Sequence, residues 1–245
     1  MPNIKLEIEF DGTRYFGWQF QPNRITVQGT LEQALAKLYG APVRVTGAGR
    51  TDTGVSALAY PVNYIAPREL ARAAIVAALN QRLPDDIRVH AAELVPDSFH
   101  ARYDARSKVY RYTIVRRHSP VLARHAWECV LPQDLARMRR AALSFVGERD
   151  YAPFCRITTG PEPVKVRRVA IRERRSTLTG AELLQIEIEG NRFLYKMVRR
   201  MTGALVDVGR GKFSTAELAY AVRHGPRVQF STAPACGLVL VKVRY

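Results

Sequence analysis

One carboxylate and one guanidinium stand in a glycine-rich stretch, residues 47–55, and could do chemistry together. The stretch reads GAGRTDTGV, with Arg50 two positions before Asp52. Glycine permits positive φ and lets another molecule approach the backbone closely. A carboxylate held in such a loop can act as a covalent nucleophile, and a nearby cation keeps it ionised. An ordinary hairpin turn, in which the Asp only satisfies turn amides, explains the same spacing equally well.

The segments on either side of this loop are predicted to be strands. β-Branched residues precede it, and a long apolar run, residues 57–65, follows it. Residues 3–10 alternate between apolar and polar side chains, which predicts a half-buried strand. The remaining elements of the first hundred residues are a helix from Thr26 to Tyr39, a helix from Pro67 to Asn80 and a strand from Ile87 to Val95. We assign the inward face of the second helix to Leu70, Ala73, Ala74, Ala77 and Ala78. The order β-α-β-β-α-β predicts an α+β half of a kind often used to bind RNA.

A strongly basic strand is predicted near the start of the second half, over residues 102–117. Lys108, Tyr110 and Tyr112 share one face of it, and interleaved aromatic and basic residues suit a nucleic-acid surface. A long edge strand with solvated Lys and Arg side chains explains the same pattern.

The rest of the second half repeats the plan of the first. The predicted elements are a helix from Pro132 to Val146, a loop from Tyr151 to Glu162, strands over 164–175 and 183–189, a helix after Gly190, a helix from Ser214 to His224 and a strand from Gly237 to Tyr245. Arg199 lies beside the apolar stripe of the helix after Gly190, where an arginine is costly unless a carboxylate pairs with it or its side chain snorkels. We therefore divide the chain into an N-terminal half, 1–104, with the Asp loop, and a C-terminal half, 105–245, with the basic strands and the Arg helix.

The net charge of the chain indicates what kind of molecule the protein binds. The chain of 245 residues has 38 Lys and Arg against 22 Asp and Glu, a net charge of +16. Such an excess favours a polyanion, most simply nucleic acid, and Arg106, Lys108, Lys165, Arg167 and Arg168 are the basic residues that we assign to phosphate contacts.

Cysteine and histidine usage argues against disulfide and metal chemistry. Cys129, Cys155 and Cys236 are odd in number and far apart, and the histidines lack metal-ligand spacing. The N-terminus has no signal-peptide pattern, so we expect a cytoplasmic protein.

Six motifs stand in an order that resembles the tRNA pseudouridine synthase A family. They are DGT at 11–13, GWQ at 17–19, TVQG at 26–29, GAGRTDTGV at 47–55, KVYRY at 108–112 and NRFLYKMVR at 191–199. The resemblance covers nearly the whole chain, to Leu238. Two departures are mild, since Phe10 stands where the family often has Tyr and Ser56 where it often has His.

The resemblance implies a homodimeric enzyme that uses no cofactor or metal and converts uridine to pseudouridine at positions 38–40 of the tRNA anticodon arm. It implies an α+β fold of two similar α/β halves whose mainly antiparallel sheets join into one extended sheet, with helices on one side and an active-site cleft between the halves. Asp52 would be the catalytic carboxylate and Arg199 its partner. Tyr110 would stack on the target base and help proton transfer, and Arg50 would hold the RNA or fill the space of a flipped base.

Two other functions remain open on the residues alone. A non-catalytic RNA-binding protein on the same α+β scaffold explains the charge and the aromatic residues but gives no reason for Asp52 in a glycine loop. An enzyme acting on a small phosphorylated metabolite would not need so broad a basic surface. For a synthase, Asp52 could attack the uracil ring, attack the sugar carbon or assist glycosidic cleavage by deprotonation.

Overall fold

A computed structural model describes residues 1–130, 134–155, 161 and 163–245 of the chain. The strands are β1 Asn3–Phe10, β2 Thr46–Gly47, β3 Ser56–Ile65, β4 Ile87–Val95, β5 Ser107–Val115, β6 Trp127–Glu128, β7 Gly147–Asp150, β8 Pro163–Arg175, β9 Glu182–Gly190 and β10 Leu238–Arg244. The α-helices are α1 Val27–Tyr39, α2 Arg72–Asn80, α3 Leu135–Ala142, α4 Ala152–Cys155, α5 Met197–Gly209 and α6 Thr215–His224. Among the described residues, no helix combines the length and the apolar character needed to cross a membrane.

The chain forms two compact units, residues 1–106 with 239–245, and residues 107–238. This division differs from the predicted halves at the end of the chain. Residues 239–245 follow the second half in sequence but belong to the first unit, where Val239 and Leu240 of β10 pair in parallel with Ser56 and Ala57 of β3. The pairing of distant segments is a tertiary contact, so local patterning does not reveal it.

In the first unit, β1 lies between β3 and β4 and pairs with both in antiparallel fashion. Alternate side chains of β1 point into the core, and Leu6 and Ile8 are completely buried. Together with β2, α1 and α2, these strands confirm the predicted order β-α-β-β-α-β.

The two helices of the first unit differ in how well their limits could be predicted. Helix α1 begins after Thr26, whose side chain accepts from the Gly29 amide, and it ends at Gly40 with φ 74°. Helix α2 begins at Arg72 rather than at Pro67, and its buried side chains are Ile75 and Leu79. The predicted alanine face is therefore wrong. Two large aliphatic side chains four residues apart bury more apolar area than a row of alanines, and they set the orientation of the helix.

In the second unit, β9 pairs antiparallel with β5 on one side and with β8 on the other. One face of this sheet is apolar, with Ile114, Ile186 and Ile188 completely buried. The observed α+β class and the mainly antiparallel pairing confirm the predicted fold class.

Two predicted elements of the second unit include residues outside the described part of the chain. The helix predicted from Pro132 is seen as α3, capped by Asp134 and followed by a 3₁₀ turn over Leu143–Phe145, whereas residues 131–133 are not described. The predicted loop from Tyr151 contains the short helix α4, and residues 156–160 and 162 of it are not described.

Candidate active site

The loop that carries Asp52 joins β2 to β3, as predicted. The two strands are antiparallel, with Thr46 opposite Asn63. The Ala48 amide donates to Pro61 O (3.0 Å) at the start of the loop, and the Val55 amide donates to Asp52 O (3.1 Å) at its end. The main chain on both sides of Asp52 is therefore held, while its side chain is partly exposed.

A second loop, residues 11–19, supports the Asp52 loop through backbone hydrogen bonds. The Trp18 amide donates to Thr51 O (3.2 Å), and the Gly54 amide donates to Tyr15 O (3.3 Å). The Tyr15 hydroxyl in turn donates to the Asp86 carboxylate, and burial together with this carboxylate raises the pKa of Tyr15. Asp52 thus stands on a loop that a neighbouring loop fixes at two points.

Two glycines make this close contact feasible. Gly17 has φ 80°, and a Cβ there would lie 2.5 Å from Thr51 O. A Cβ on Gly12 would lie 2.0 Å from Val55 O. Any larger residue would push the two loops apart, which explains why DGT and GWQ accompany the Asp loop in this sequence.

Tyr60 anchors the first half of the Asp loop, a role that the sequence did not reveal. Its hydroxyl donates to Gly49 O and accepts from the Gly49 amide (3.3 Å). Its ring packs on Trp18 with the centroids 4.5 Å apart, and the Trp18 ring and the Tyr60 hydroxyl occupy the space that a Cβ on Gly47 would need. The sequence offers little signal for this role, because Tyr60 is one of two tyrosines in β3.

Arg50 is exposed at the surface of the same loop. Its Nε donates to Gln19 Oε1 at 3.2 Å. Gln19 belongs to the supporting loop and also donates to Gln28 Oε1, so the first unit brings together four of the resembling motifs, DGT, GWQ, TVQG and the Asp loop.

The predicted aromatic face of β5 is mostly core. Tyr112 is completely buried, and its hydroxyl donates to Pro234 O at 2.7 Å. Tyr110 retains 9% exposure and meets the ring of Phe193 edge-to-face, with the centroids 5.3 Å apart. The expectation that both tyrosines form an open stacking surface is therefore wrong for Tyr112, because this face of β5 is the apolar face of the sheet.

Arg199 is half-buried and fixed within the second unit. Its Nε donates to Ala233 O (2.8 Å), and the Ala233 amide donates to Arg199 O (3.1 Å). The buried Asp207 accepts from the amide and the hydroxyl of Ser231 at 2.7 and 3.0 Å, and Gly203 gives Ser231 O room to approach α5. Sequence reasoning placed Arg199 correctly beside the apolar stripe but missed Asp207, which holds the segment to which Arg199 bonds.

The basic residues of β8 lie outside the core. Lys165, Arg167 and Arg168 are exposed, as are Arg172 and Arg174. A register shift between Val166 and Arg168 makes Arg167 an extra residue in the strand. Strict alternation would turn Arg168 inward with the buried Val166, but this bulge turns it outward instead.

The basic residues assigned to phosphate contacts differ in their surroundings. Arg168 bonds to the Glu187 carboxylate, and Arg111 lies 3.6 Å from the same carboxylate. Lys108 is half-buried at the start of β5, opposite Gly190. Arg106 is exposed in the first unit, where its amide donates to Arg244 O (2.8 Å).

The cysteines do not form a reactive group. Cys129 and Cys155 are buried, Cys236 is half-buried, and all three are free thiols. Burial raises the pKa of Cys155 to about 12, so its thiol stays protonated at neutral pH. In the described part of the chain, no three His, Cys, Asp or Glu residues are grouped so that they could hold a metal ion.

These observations define a basic α+β protein whose candidate site centres on one loop-borne carboxylate. A family model described as tRNA pseudouridine synthase matches residues 7–104 and 141–245, and the chain belongs to this family. The family isomerises uridine to pseudouridine in tRNA, which makes this chain an isomerase.

Curated proteins named tRNA pseudouridine synthase A are similar to this chain over its full length. The chain is 43% identical to a tRNA pseudouridine synthase A of Pelobacter propionicus, with all of both chains covered. It is 41% identical to the protein of that name from Syntrophotalea carbinolica, covering 100% of this chain and 97% of that protein, and 41% identical to the one from Geobacter sulfurreducens, covering all of both. The resemblance seen in the six motifs is confirmed.

Proposed function

We propose that this isomerase modifies uridines 38–40 in the anticodon arm of tRNA and that Asp52 is its catalytic carboxylate. The observation that carries the proposal is the fixed backbone on both sides of a partly exposed Asp52. A non-catalytic RNA-binding protein would have no need to fix the main chain around one partly exposed acidic residue in this way.

The reaction requires the N1–C1′ glycosidic bond to break, the uracil to turn and a C5–C1′ bond to form. The proton that leaves C5 is balanced by one gained at N1, so the mass of the RNA does not change. Asp52 can serve as the nucleophile or as the base in this sequence of steps. The target base must first leave its stack, which costs a few kcal/mol that protein contacts offset.

Three further side chains have proposed roles in this reaction. Arg199 pairs with the Asp52 carboxylate, and its bond to Ala233 O supports this role because a fixed guanidinium loses little freedom on pairing. Tyr110 stacks against the target base and helps proton transfer. Arg50 contacts the RNA or fills the space that the flipped base leaves.

Phosphate contacts are proposed for Lys165, Arg167 and Arg168 on β8 and, separately, for Arg106 and Lys108. The outward orientation of the β8 side chains supports this assignment. Backbone contacts of this kind position the RNA without reading its sequence.

A carbodiimide-labelling assay on an anticodon-arm transcript tests the proposal. We expect the wild-type protein to produce labelled pseudouridine at positions 38–40 with no change in RNA mass. Asp52→Asn should abolish the product while tRNA affinity stays within a few-fold. Product formation by Asp52→Asn at a substantial rate would remove Asp52 from the mechanism.

We also propose that the enzyme is a cytoplasmic homodimer. Light scattering of the purified protein should give about twice the mass of one chain, and a monomer that retains full activity would contradict the dimer.

A further inference from the structure

Gln28 on α1 is largely buried, and the NH₂ group and the oxygen of its side-chain amide each make two hydrogen bonds. Its Nε2 donates to Glu32 Oε1 (3.0 Å) and to Val45 O (3.3 Å). Its Oε1 accepts from the Phe20 amide (2.9 Å) and from Gln19 Nε2 (3.1 Å). A buried amide with four partners is held in a single orientation.

The chemistry of these partners determines the direction of the network. The Glu32 carboxylate and the Val45 carbonyl can only accept, so the Gln28 NH₂ group must face them. The Phe20 amide can only donate, so Gln28 Oε1 must face the supporting loop. Gln19 therefore donates through Nε2, which leaves its Oε1 directed at Arg50 Nε, 3.2 Å away.

Glu32 anchors the far end of the network. It is 8% exposed, and its Oε1 also accepts from the Val45 amide at 3.1 Å. Its Oε2 accepts from Arg44 Nη1 at 2.8 Å. Both oxygens of the Glu32 carboxylate therefore accept hydrogen bonds, which fixes its position. Glu32 orients the Gln28 amide, Gln28 orients the Gln19 amide, and Gln19 accepts from Arg50 Nε.

We propose that Glu32, Gln28 and Gln19 are positioning residues that hold the Arg50 side chain in place before RNA binds. An exposed arginine normally samples many rotamers and loses that freedom on binding, so a guanidinium oriented in advance binds at a lower entropic cost. The proposal rests on the proposed contact between Arg50 and the substrate RNA.

A double-mutant cycle tests whether the network acts through Arg50. We expect Gln19→Met to lower kcat/KM for pseudouridine formation by roughly threefold to tenfold in the wild-type background. In the Arg50→Ala background the same substitution should have no further effect, because the residue being positioned is gone. An equal loss in both backgrounds would overturn the proposal.

Gln21, two residues beyond the supporting loop, provides a matched control. It is exposed, and its Nε2 donates to Phe16 O at 3.0 Å, away from Arg50 in the hydrogen-bond network of the described residues. Gln21→Met should leave kcat/KM unchanged in either background. If it lowered kcat/KM as much as Gln19→Met, loop stability and not the positioning of Arg50 would be responsible.

A measurement without RNA separates failure of this proposal from failure of the proposed function. In protein labelled with ¹⁵N-arginine, the Nε–H of Arg50, assigned through Arg50→Lys, should exchange with water more slowly in the wild type than in Gln19→Met or Gln28→Met. If the buried Gln28→Met variant does not fold, the Gln19→Met variant alone decides the outcome. Equal rates of Arg50 Nε–H exchange in the wild type and in Gln19→Met would refute the positioning role.

Glu32 substitutions test the far end of the network in the same experiment. Glu32→Gln keeps an oxygen for Gln28 Nε2 and should preserve slow exchange at Arg50, whereas Glu32→Leu should accelerate it. Similar exchange in both variants would exclude Glu32 from the network. Absence of pseudouridine formation by the wild type would refute the proposed function and leave the exchange result intact.

Discussion

Tyr110 has a ring and a hydroxyl whose contributions can be separated experimentally. We expect Tyr110→Phe to keep tRNA affinity but to lower the rate, since only the hydroxyl can take part in proton transfer. Tyr110→Ala should lower both, because base–aromatic stacking is worth about 1–3 kcal/mol and the Ala would also remove the packing partner of Phe193. Single-turnover kinetics and filter binding on one tRNA measure the two effects.

Phe193→Leu is the control for Tyr110. It removes the edge-to-face contact but leaves Tyr110 itself in place. If Tyr110→Ala turned over like wild type, Tyr110 would be a core residue without a role in the reaction.

Arg199 is predicted to act on the pH dependence as well as on the rate. A cation beside a carboxylate favours the ionised form, and its removal makes that form less favourable. We therefore expect Arg199→Ala to shift the acid limb of the kcat/KM profile to higher pH and to lower the plateau.

Comparing Arg199→Lys with Arg199→Ala separates the effect of the positive charge from the effect of the guanidinium geometry. Arg199→Lys keeps the charge but loses both the Nε donor that bonds to Ala233 O and the planar fork of guanidinium donors, so it should restore the acid limb better than the rate. An acid limb in Arg199→Ala that coincides with the wild-type one would refute the pairing with Asp52.

At the scale of elements, the bulge in β8 decides which basic side chains face outward. Removal of one phosphate-binding side chain should reduce the log–log salt slope of tRNA binding by roughly 0.7–0.9. We expect this change for Lys165→Ala and Arg167→Ala and a smaller one for Arg168→Ala, because Glu187 already neutralises part of the Arg168 charge. Lys37→Ala, on the exposed side of α1, is the control and should leave the slope unchanged. Equal slopes in all four variants would contradict an RNA surface on β8.

At the scale of the whole molecule, the buried Cys155 thiol makes the free energy of unfolding depend on pH in alkaline solution. Its folded-state pKa is raised from 9.0 to about 12 by burial, so the folded protein binds the thiol proton more tightly than the unfolded chain does. The stabilisation is complete below pH 9 and is lost as the pH rises towards 12. The free energy of unfolding, measured with urea, should therefore fall in this window by up to about 1.4 kcal/mol per pH unit from this group.

Cys155→Ala isolates this contribution from other alkaline titrations. The variant should be less stable at pH 8, because it leaves a small cavity. Its stability should decline less steeply than that of the wild type above pH 9. Parallel declines would show that Cys155 is not the group responsible.

Several features of the protein follow from short stretches of sequence. The strands β1, β4 and β9 and the ends of α1 were predictable, because alternation, a Thr cap and a Gly stop act over a few residues. The motifs led to the correct family for a related reason, since each is a contiguous stretch and their order along the chain can be read without the tertiary structure.

Other features depend on which distant segments meet, and only the tertiary structure decides this. Local pattern could not tell that β10 belongs to the first unit, that Tyr112 lies in the core or that Asp207 holds Ser231. The polar network from Glu32 to Arg50 joins a helix, a supporting loop and the Asp loop. Its hydrogen bonds form only after these elements pack, because burial excludes water and leaves each amide a single set of partners.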